Sequence, residues 1–173
     1  MARTQPERDH IDSWLAEIAP HLPPSVDLDV EGIVDRIHGL DWRIRKMLDE
    51  TLEEQGLTNG DWKVLSTLRW AENGRRSAGE LARRAELTSG TMTARLDQLE
   101  GEGLVRRVRD PDDRRSVLVE LTAKGRKKLL QAMGVQGEKE KLLAAALTPK
   151  EMEQLNALLR RVMISVENRI TKP

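Results

Sequence analysis

Residues 77–122 read SAGELARRAELTSGTMTARLDQLEGEGLVRRVRDPDDRRSVLVELT. Ser77-Ala78-Gly79-Glu80 is a capping box, in which a serine hydroxyl and a glutamate three residues on serve the free N–H groups of a helix start. It leads into Leu81-Ala82-Arg83-Arg84-Ala85. After Leu87, Thr88-Ser89-Gly90 opens a second helical pattern with Met92, Leu96 and Leu99, up to Gly103. Two short helices joined by so tight a turn form a helix-turn-helix. The period then falls to two: Leu104–Arg109 and Ser116–Leu121 predict strands, with Asp110-Pro111-Asp112-Asp113 as a turn. A hairpin following the second helix makes a winged helix-turn-helix.

The flanks on both sides are helical. Ile11, Trp14, Leu15 and Ile18 recur at helical spacing, so a short helix over 11–19 is expected after a loose polar start. Pro20, Pro23 and Pro24 forbid its continuation. After Asp29, Ile33, Ile37, Leu40, Ile44, Met47, Leu48 and Leu52 predict a long helix ending near Gly56. Thr58 caps the next helix, marked by Trp62, Leu65, Leu68 and Arg69 and closed by Gly74. Downstream, Thr122 caps a helix carrying Leu129, Leu130 and Met133, which Gly134 and Gly137 should weaken. Thr148-Pro149 opens a last helix with Met152, Leu155, Leu158, Leu159, Val162 and Val166. The fold class is mainly α (α+β). The expected division is an extension over 1–28, a dimerisation helix over 29–56, a DNA-binding lobe over 57–128 and dimerisation helices over 129–173.

Composition narrows the function classes. The 173 residues include no cysteine, phenylalanine or tyrosine, and four tryptophans. Thiol catalysis, thiolate metal sites and disulfides are therefore excluded. No apolar run reaches the roughly 18 residues of a membrane helix, and the first residues are too polar for a secretory signal, so a cytoplasmic protein without membrane contact is expected. The 29 basic and 29 acidic residues cancel. That sum argues against nucleic acid until it is divided along the chain. Residues 1–62 hold 6 basic and 14 acidic groups, 63–128 hold 16 and 10, and 129–173 hold 7 and 5. The centre is basic, and the acidic first third should lie away from any bound phosphate.

A helix entering the major groove needs short polar side chains at its leading end, so that its backbone can approach base edges. Ser89, Gly90, Thr91 and Thr93 supply them, and Arg95 can reach phosphate or guanine. The plainer reading is a capped turn with a solvated arginine. The hairpin adds Arg106, Arg107, Arg109, Arg114 and Arg115, which suit a wing that lays arginine in a narrow minor groove. Asp113 beside Arg114 and Arg115 would hold one guanidinium extended. Alone, that hairpin reads equally as a salt-bridged surface feature. Following a helix-turn-helix directly, it reads as a DNA-binding wing.

The run from Leu81 to Glu100, then Gly103-Leu104-Val105-Arg106-Arg107, resembles the DNA-reading core of the MarR family. The wing Asp110-Pro111-Asp112-Asp113-Arg114-Arg115, followed by Val119-Glu120-Leu121-Thr122 and Gly125, is similar to that family's wing signature. The resemblance spans about residues 55–128. It implies a homodimeric, ligand-responsive transcription factor, usually a repressor, on a pseudo-palindromic operator in double-stranded DNA. Arg115 best matches the arginine that enters the minor groove in that family. The wide apolar stripes of the first long helix and the last helix agree with a dimer, since burial at ~25 cal/mol per Å² would drive association. A two-fold axis would set the two reading helices about one duplex turn, ~34 Å, apart.

The added helix with Trp14 resembles the urate-responsive branch of the family, the PecS-like and HucR-like regulators. That branch surrounds its ligand with a tryptophan on the added helix, an aspartate and two arginines. Trp14 matches the first, and Arg95 and Arg107 match the arginines. Lys63 stands where the branch carries aspartate, and Asp61 lies two residues earlier. A site of Lys63, Arg95 and Arg107 is strongly cationic and suits a carboxylate-rich anionic effector better than a purine. Trp14 reads equally as a core anchor for its helix, while Trp42, Trp62 and Trp70 are expected in the core. Without cysteine the switch is a ligand, not a redox event.

Two other classes compete. An enzyme would need a constellation that is missing, because His10, His21 and His38 have no zinc-like spacing and no phosphate loop or nucleophile motif appears. No cofactor is expected. An architectural or effector-independent DNA-binding protein would share the fold but show no thermal response to a metabolite.

Overall fold

The computed structural model describes residues 8–110 and 116–170. In chain order the elements are α1 (His10–Ile18), a 3-10 turn (Ala19–His21), α2 (Leu28–Glu54), α3 (Asn59–Arg69), β1 (Arg75–Ser77), α4 (Ala78–Ala85), α5 (Ser89–Gly101), β2 (Val105–Arg109), β3 (Val117–Leu121), α6 (Ala123–Ala144) and α7 (Pro149–Ile170). The chain divides into two compact units, Met1–His38 with Glu138–Pro173, and Gly39–Gly137. The division cuts α2 and α6 instead of falling in loops.

Within Gly39–Gly137 the winged helix-turn-helix is present. Three of its helix starts follow from side-chain chemistry legible in the sequence. Thr58 and Asp61 form a reciprocal capping box for α3, and Ser77 and Glu80 do the same for α4. Thr88 caps α5, its hydroxyl accepting from the Thr91 N–H at 3.2 Å. Between α4 and α5 the chain reverses through Glu86, whose φ of 58° is left-handed and carries the Leu87 N–H back to the Ala82 carbonyl. Leu65, Leu68, Leu81, Met92, Leu96 and Leu99 are fully buried between these three helices, with Val105 and Val119 of the sheet and Leu129 of α6. Each such side chain contributes about 1.5–3 kcal/mol of transfer free energy.

The sheet has three strands in the order β1-β3-β2, all antiparallel. The hairpin is as expected, but β1 is an addition. Its three residues, Arg75, Arg76 and Ser77, show no apolar alternation, and they join the sheet only because β3 offers them a free edge.

Two further expectations change. α6 runs unbroken through Gly134 and Gly137 to Ala144. Glycine costs a helix about 1 kcal/mol, which the buried Leu129, Ala132 and Gln136 of the same helix offset. Trp42 and Trp70 are not in the core: they are 59% and 66% exposed. Trp70 is the C-cap of α3, turned out as the helix ends, and Trp42 carries Arg43 and Lys46 over its ring. Trp62 does pack against the core.

In the other unit, α1 is capped by Asp9 and Asp12 and buries Ile11. Arg36 of α2 donates to both of those carboxylates, at 3.0 and 2.6 Å. Along α7, Leu155, Leu158, Leu159, Val162, Met163, Ile164 and Val166 are each 44–59% exposed. No helix among the described residues is long and apolar enough to cross a membrane.

The hairpin base is fixed by Thr122 and Gly125. The Thr122 hydroxyl donates to the Gly103 carbonyl at 2.6 Å and accepts from the Gly125 N–H at 3.0 Å. A Cβ on Gly125 would stand 1.9 Å from the Leu104 carbonyl oxygen, whereas one on Gly134 would meet nothing within 4 Å. Gly125→Ala should therefore cost about 3 kcal/mol or more by forcing backbone apart. Gly134→Ala should stabilise by up to about 1 kcal/mol. Urea unfolding of the two variants checks this opposite sign within one helix.

Candidate nucleic-acid interface

The leading turn of α5 is open to solvent. Ser89, Gly90, Thr91 and Thr93 are all exposed, while Met92 and Leu96 on the opposite face are buried. The Thr93 hydroxyl donates back to the Ser89 carbonyl at 3.0 Å, which keeps it flat against the helix. Gly90 has ordinary helical geometry, and a Cβ there would meet nothing within 4 Å. Nothing inside the chain requires a glycine at this position.

Arg95 points elsewhere. It is only 22% exposed, and its Nη1 donates to Asp61 Oδ1 and Thr58 Oγ1, each at 2.7 Å. Asp61 is buried, and its other oxygen accepts from the Thr58 N–H and hydroxyl. One carboxylate thus caps α3 and anchors a guanidinium of α5. Gly60 makes room for it, since a Cβ there would lie 2.3 Å from the Arg95 Cζ.

The β2 arginines are divided between two tasks. Arg107 reaches α5, where its guanidinium donates to Glu100 and, at 2.6 Å, to Asp97. Its bond to Asp97, opposed by partial burial and reinforced by Glu100, raises its already high pKa. Glu100 in turn is held below its ordinary value, chiefly by the Arg107 backbone N–H. Arg106 faces β3. Register sets Arg75 and Arg106 on either side of Glu120, and both donate to its carboxylate, Arg106 Nε at 2.6 Å and Arg75 Nε at 2.5 Å. Burial alone would raise the Glu120 carboxyl, but the bonds from Arg106 and Arg75 outweigh it and leave the pKa lowered. Arg109 is exposed and has no ion pair among the described residues.

Of the other residues singled out by sequence, Lys63 lies exposed on α3 without an ion pair among the described residues. Lys63, Arg95 and Arg107 share the unit Gly39–Gly137, whereas Trp14 belongs to the other. Trp14 is 45% exposed and borders a shallow 210 Å³ cleft with His10, Ile11 and Asp35. Asp113, Arg114 and Arg115 lie outside the described residues. Glu120, Arg75 and Glu100 escaped the sequence reading. A lone carboxylate interrupting the apolar run Val117–Leu121 was the available signal, since such a charge needs a cationic partner across the sheet.

The sequence model of the MarR family matches residues 57–117, from the loop before α3 to the start of β3. The multiple antibiotic resistance protein MarR of Escherichia coli (strain K12) is 31% identical over 128 residues, 73% of this chain and 88% of its own. The chain belongs to the MarR family. The HTH-type transcriptional regulator PecS of Dickeya dadantii (strain 3937) is 27% identical over 168 residues, 94% of this chain and 95% of its own. A crystal structure of an E. coli MarR mutant complexed with operator DNA superposes with a TM-score of 0.58 at 30% identity, covering 79% of this chain and 99% of that one. MarR proteins are transcription regulators built on this winged helix, and they are not enzymes.

Two substitutions check this MarR-type lobe. Gly60→Ala should drive the Arg95 guanidinium off Asp61 and cost about 1–2 kcal/mol. In an Arg95→Ala background the same change should be neutral or slightly stabilising, a coupling that a double-mutant cycle reads directly. Glu120→Gln should cost about 1–2 kcal/mol at neutral pH, reduced from a buried pair's value because Arg75 and Arg106 are partly solvated. The folded carboxyl has the lower pKa, so its contribution is complete above the ordinary carboxylate range and fades as pH falls through the folded value. The difference between wild type and Glu120→Gln in denaturant midpoint should shrink on acidification.

Proposed function

We propose that the protein is a ligand-responsive transcriptional repressor that binds a pseudo-palindromic operator as a homodimer. The observation that carries the DNA reading is Gly90. A helical glycine costs stability, fills no internal need, and sits at the leading turn among Ser89, Thr91 and Thr93, where an approaching base edge would exclude a side chain. The wing, with Arg109 exposed and without an ion pair among the described residues and with the sequence-assigned Asp113, Arg114 and Arg115 beyond it, serves the adjacent minor groove. The operator complex of the E. coli MarR mutant supports the same use of the fold. The exposed stripe of α7, with Ile33, Val34 and Ile37 of α2, supplies the apolar surface for a second copy. A cytoplasmic setting accords with this role.

Release falls to a small anionic effector. Lys63, Arg95 and Arg107, all of the unit Gly39–Gly137, are its cationic contacts. Arg95 ties α5 to α3, and Arg107 ties α5 to β2. An anion that recruits these guanidiniums from Asp61, Asp97 and Glu100 competes with the bonds that position the reading helix. Binding and DNA affinity are then linked through one set of arginines.

Footprinting on the DNA upstream of the encoding gene, combined with an effector titration, tests this reading. Two protected half-sites ~34 Å apart are expected. Arg115→Ala should weaken binding across sequences and lower the salt slope by about 1, while Ser89→Ala should act only at particular bases. Citrate should release the DNA and change tryptophan emission. An unchanged footprint in both variants overturns the reading surface. Tight urate binding without response to polycarboxylates overturns the anionic effector, and an unresponsive complex identifies an architectural protein.

A further inference from the structure

A second concave site lies on the same lobe, apart from α5, the wing strands and the effector residues. α3, β1 and α4 border a cleft of about 340 Å³ lined by Ser66, Thr67, Trp70, Arg76 and Arg84. That volume lies at the small end of ligand sites, near one or two rings. Trp70, expected in the core, is instead 66% exposed. The Arg69 guanidinium lies 5.0 Å from its ring centroid.

The polar groups of the cleft are incompletely used. Ser66 Oγ and Arg76 Nε are buried and have no hydrogen-bond partner among the described residues. A buried polar atom left unpaired carries a penalty that native structures rarely tolerate without a use. The acid paired with Arg76 is Glu80, at 3.5 Å, the outer limit of a hydrogen bond. The other oxygen of Glu80 already accepts from the Ser77 N–H and hydroxyl at 3.1 and 3.2 Å. Arg84 is exposed and has no ion pair among the described residues. Two guanidiniums, of Arg76 and Arg84, therefore line the cleft against one carboxylate committed mainly to a helix cap.

We propose that this cleft binds a small planar anion, an aromatic ring bearing a carboxylate or phosphate. The ring stacks on the Trp70 indole, and the anionic group lies between Arg76 and Arg84 within reach of the Ser66 hydroxyl. An aromatic face combined with forked donors selects for both halves of such a molecule. A simple ion would leave Trp70 uncovered, and a neutral ring would leave the guanidiniums unanswered. This inference is independent of the effector reading, because it shares no residue with Trp14, Lys63, Arg95 or Arg107.

Phenyl phosphate titrated into the full-length protein, followed by tryptophan emission and by calorimetry, is the test. A saturable emission change is expected that disappears in Trp70→Phe. The calorimetric midpoint should move about tenfold or more in Arg84→Gln, an exposed position whose replacement leaves the core intact. Lys150→Gln, an equal loss of charge on α7, should not move it. Benzylamine should give no saturation, and inorganic phosphate should bind far more weakly. Absence of saturation at millimolar phenyl phosphate, or an unchanged midpoint in Arg84→Gln, overturns the proposal. So does a midpoint that moves with Lys63→Ala, which puts the ring in the effector site. Equal binding of inorganic phosphate reduces the cleft to an ion site and also overturns it. If Arg84→Gln weakens operator binding and leaves phenyl phosphate unaffected, the cleft is a DNA contact and the proposal fails.

Discussion

The Asp61 carboxylate is shared by two structures that must stay in register. One oxygen closes the α3 capping box on Thr58, and the other holds the Arg95 guanidinium of α5. Because Asp61 is buried, this pairing has few competitors, and removing either partner would leave a charge poorly solvated. The angle at which α5 stands against α3 thus rests on a polar contact as well as on the leucines beneath it. Hydrophobic packing alone would permit small sliding motions. A directional ion pair restricts them, and Gly60 is small because the guanidinium must fit beside it.

A second ion-pair group performs the analogous task for the wing. Glu120 on the central strand holds Arg75 and Arg106 on its two neighbours, so the sheet is cross-linked by side chains as well as by its ladder. Arg107 then ties β2 to α5. The basic centre of the chain is accordingly not a uniform positive surface. Arg75, Arg76, Arg95, Arg106 and Arg107 are paired internally, whereas Lys63, Arg84 and Arg109 have no ion pair among the described residues. Net charge along the sequence located the lobe; only the pairing distinguishes the cations that hold it together from those that do not.

Much of this lobe could be read from local chemistry. Capping boxes at Thr58 and Ser77 and the change of period after Gly103 depend on residues a few positions apart, so sequence order displays them. What escaped depends on distance along the chain. β1 has no pattern of its own and exists through pairing with β3, some forty residues on. Arg95 looked like a base or phosphate contact because its acceptor, Asp61, is 34 residues away. Trp70 looked like core because it continues an apolar spacing, although α3 ends there and turns the ring outward. Ser89, Gly90, Thr91 and Thr93 stand exposed at the start of α5, as a capped helix start with small polar residues would place them.

The base of the hairpin has a further consequence for how such a chain can vary. Val105 pairs with Leu121, Thr122 clasps the Gly103 carbonyl, and Gly125 admits no side chain against Leu104. At the far end Asp110 donates its N–H to the Ser116 carbonyl at 3.1 Å. Between these closures a one-residue insertion in either strand would turn every following side chain to the opposite face and separate Glu120 from its arginines. The frame between these closures is rigid in length, so a chain built on this plan can exchange side chains there but cannot gain or lose a residue without rebuilding the lobe that carries it.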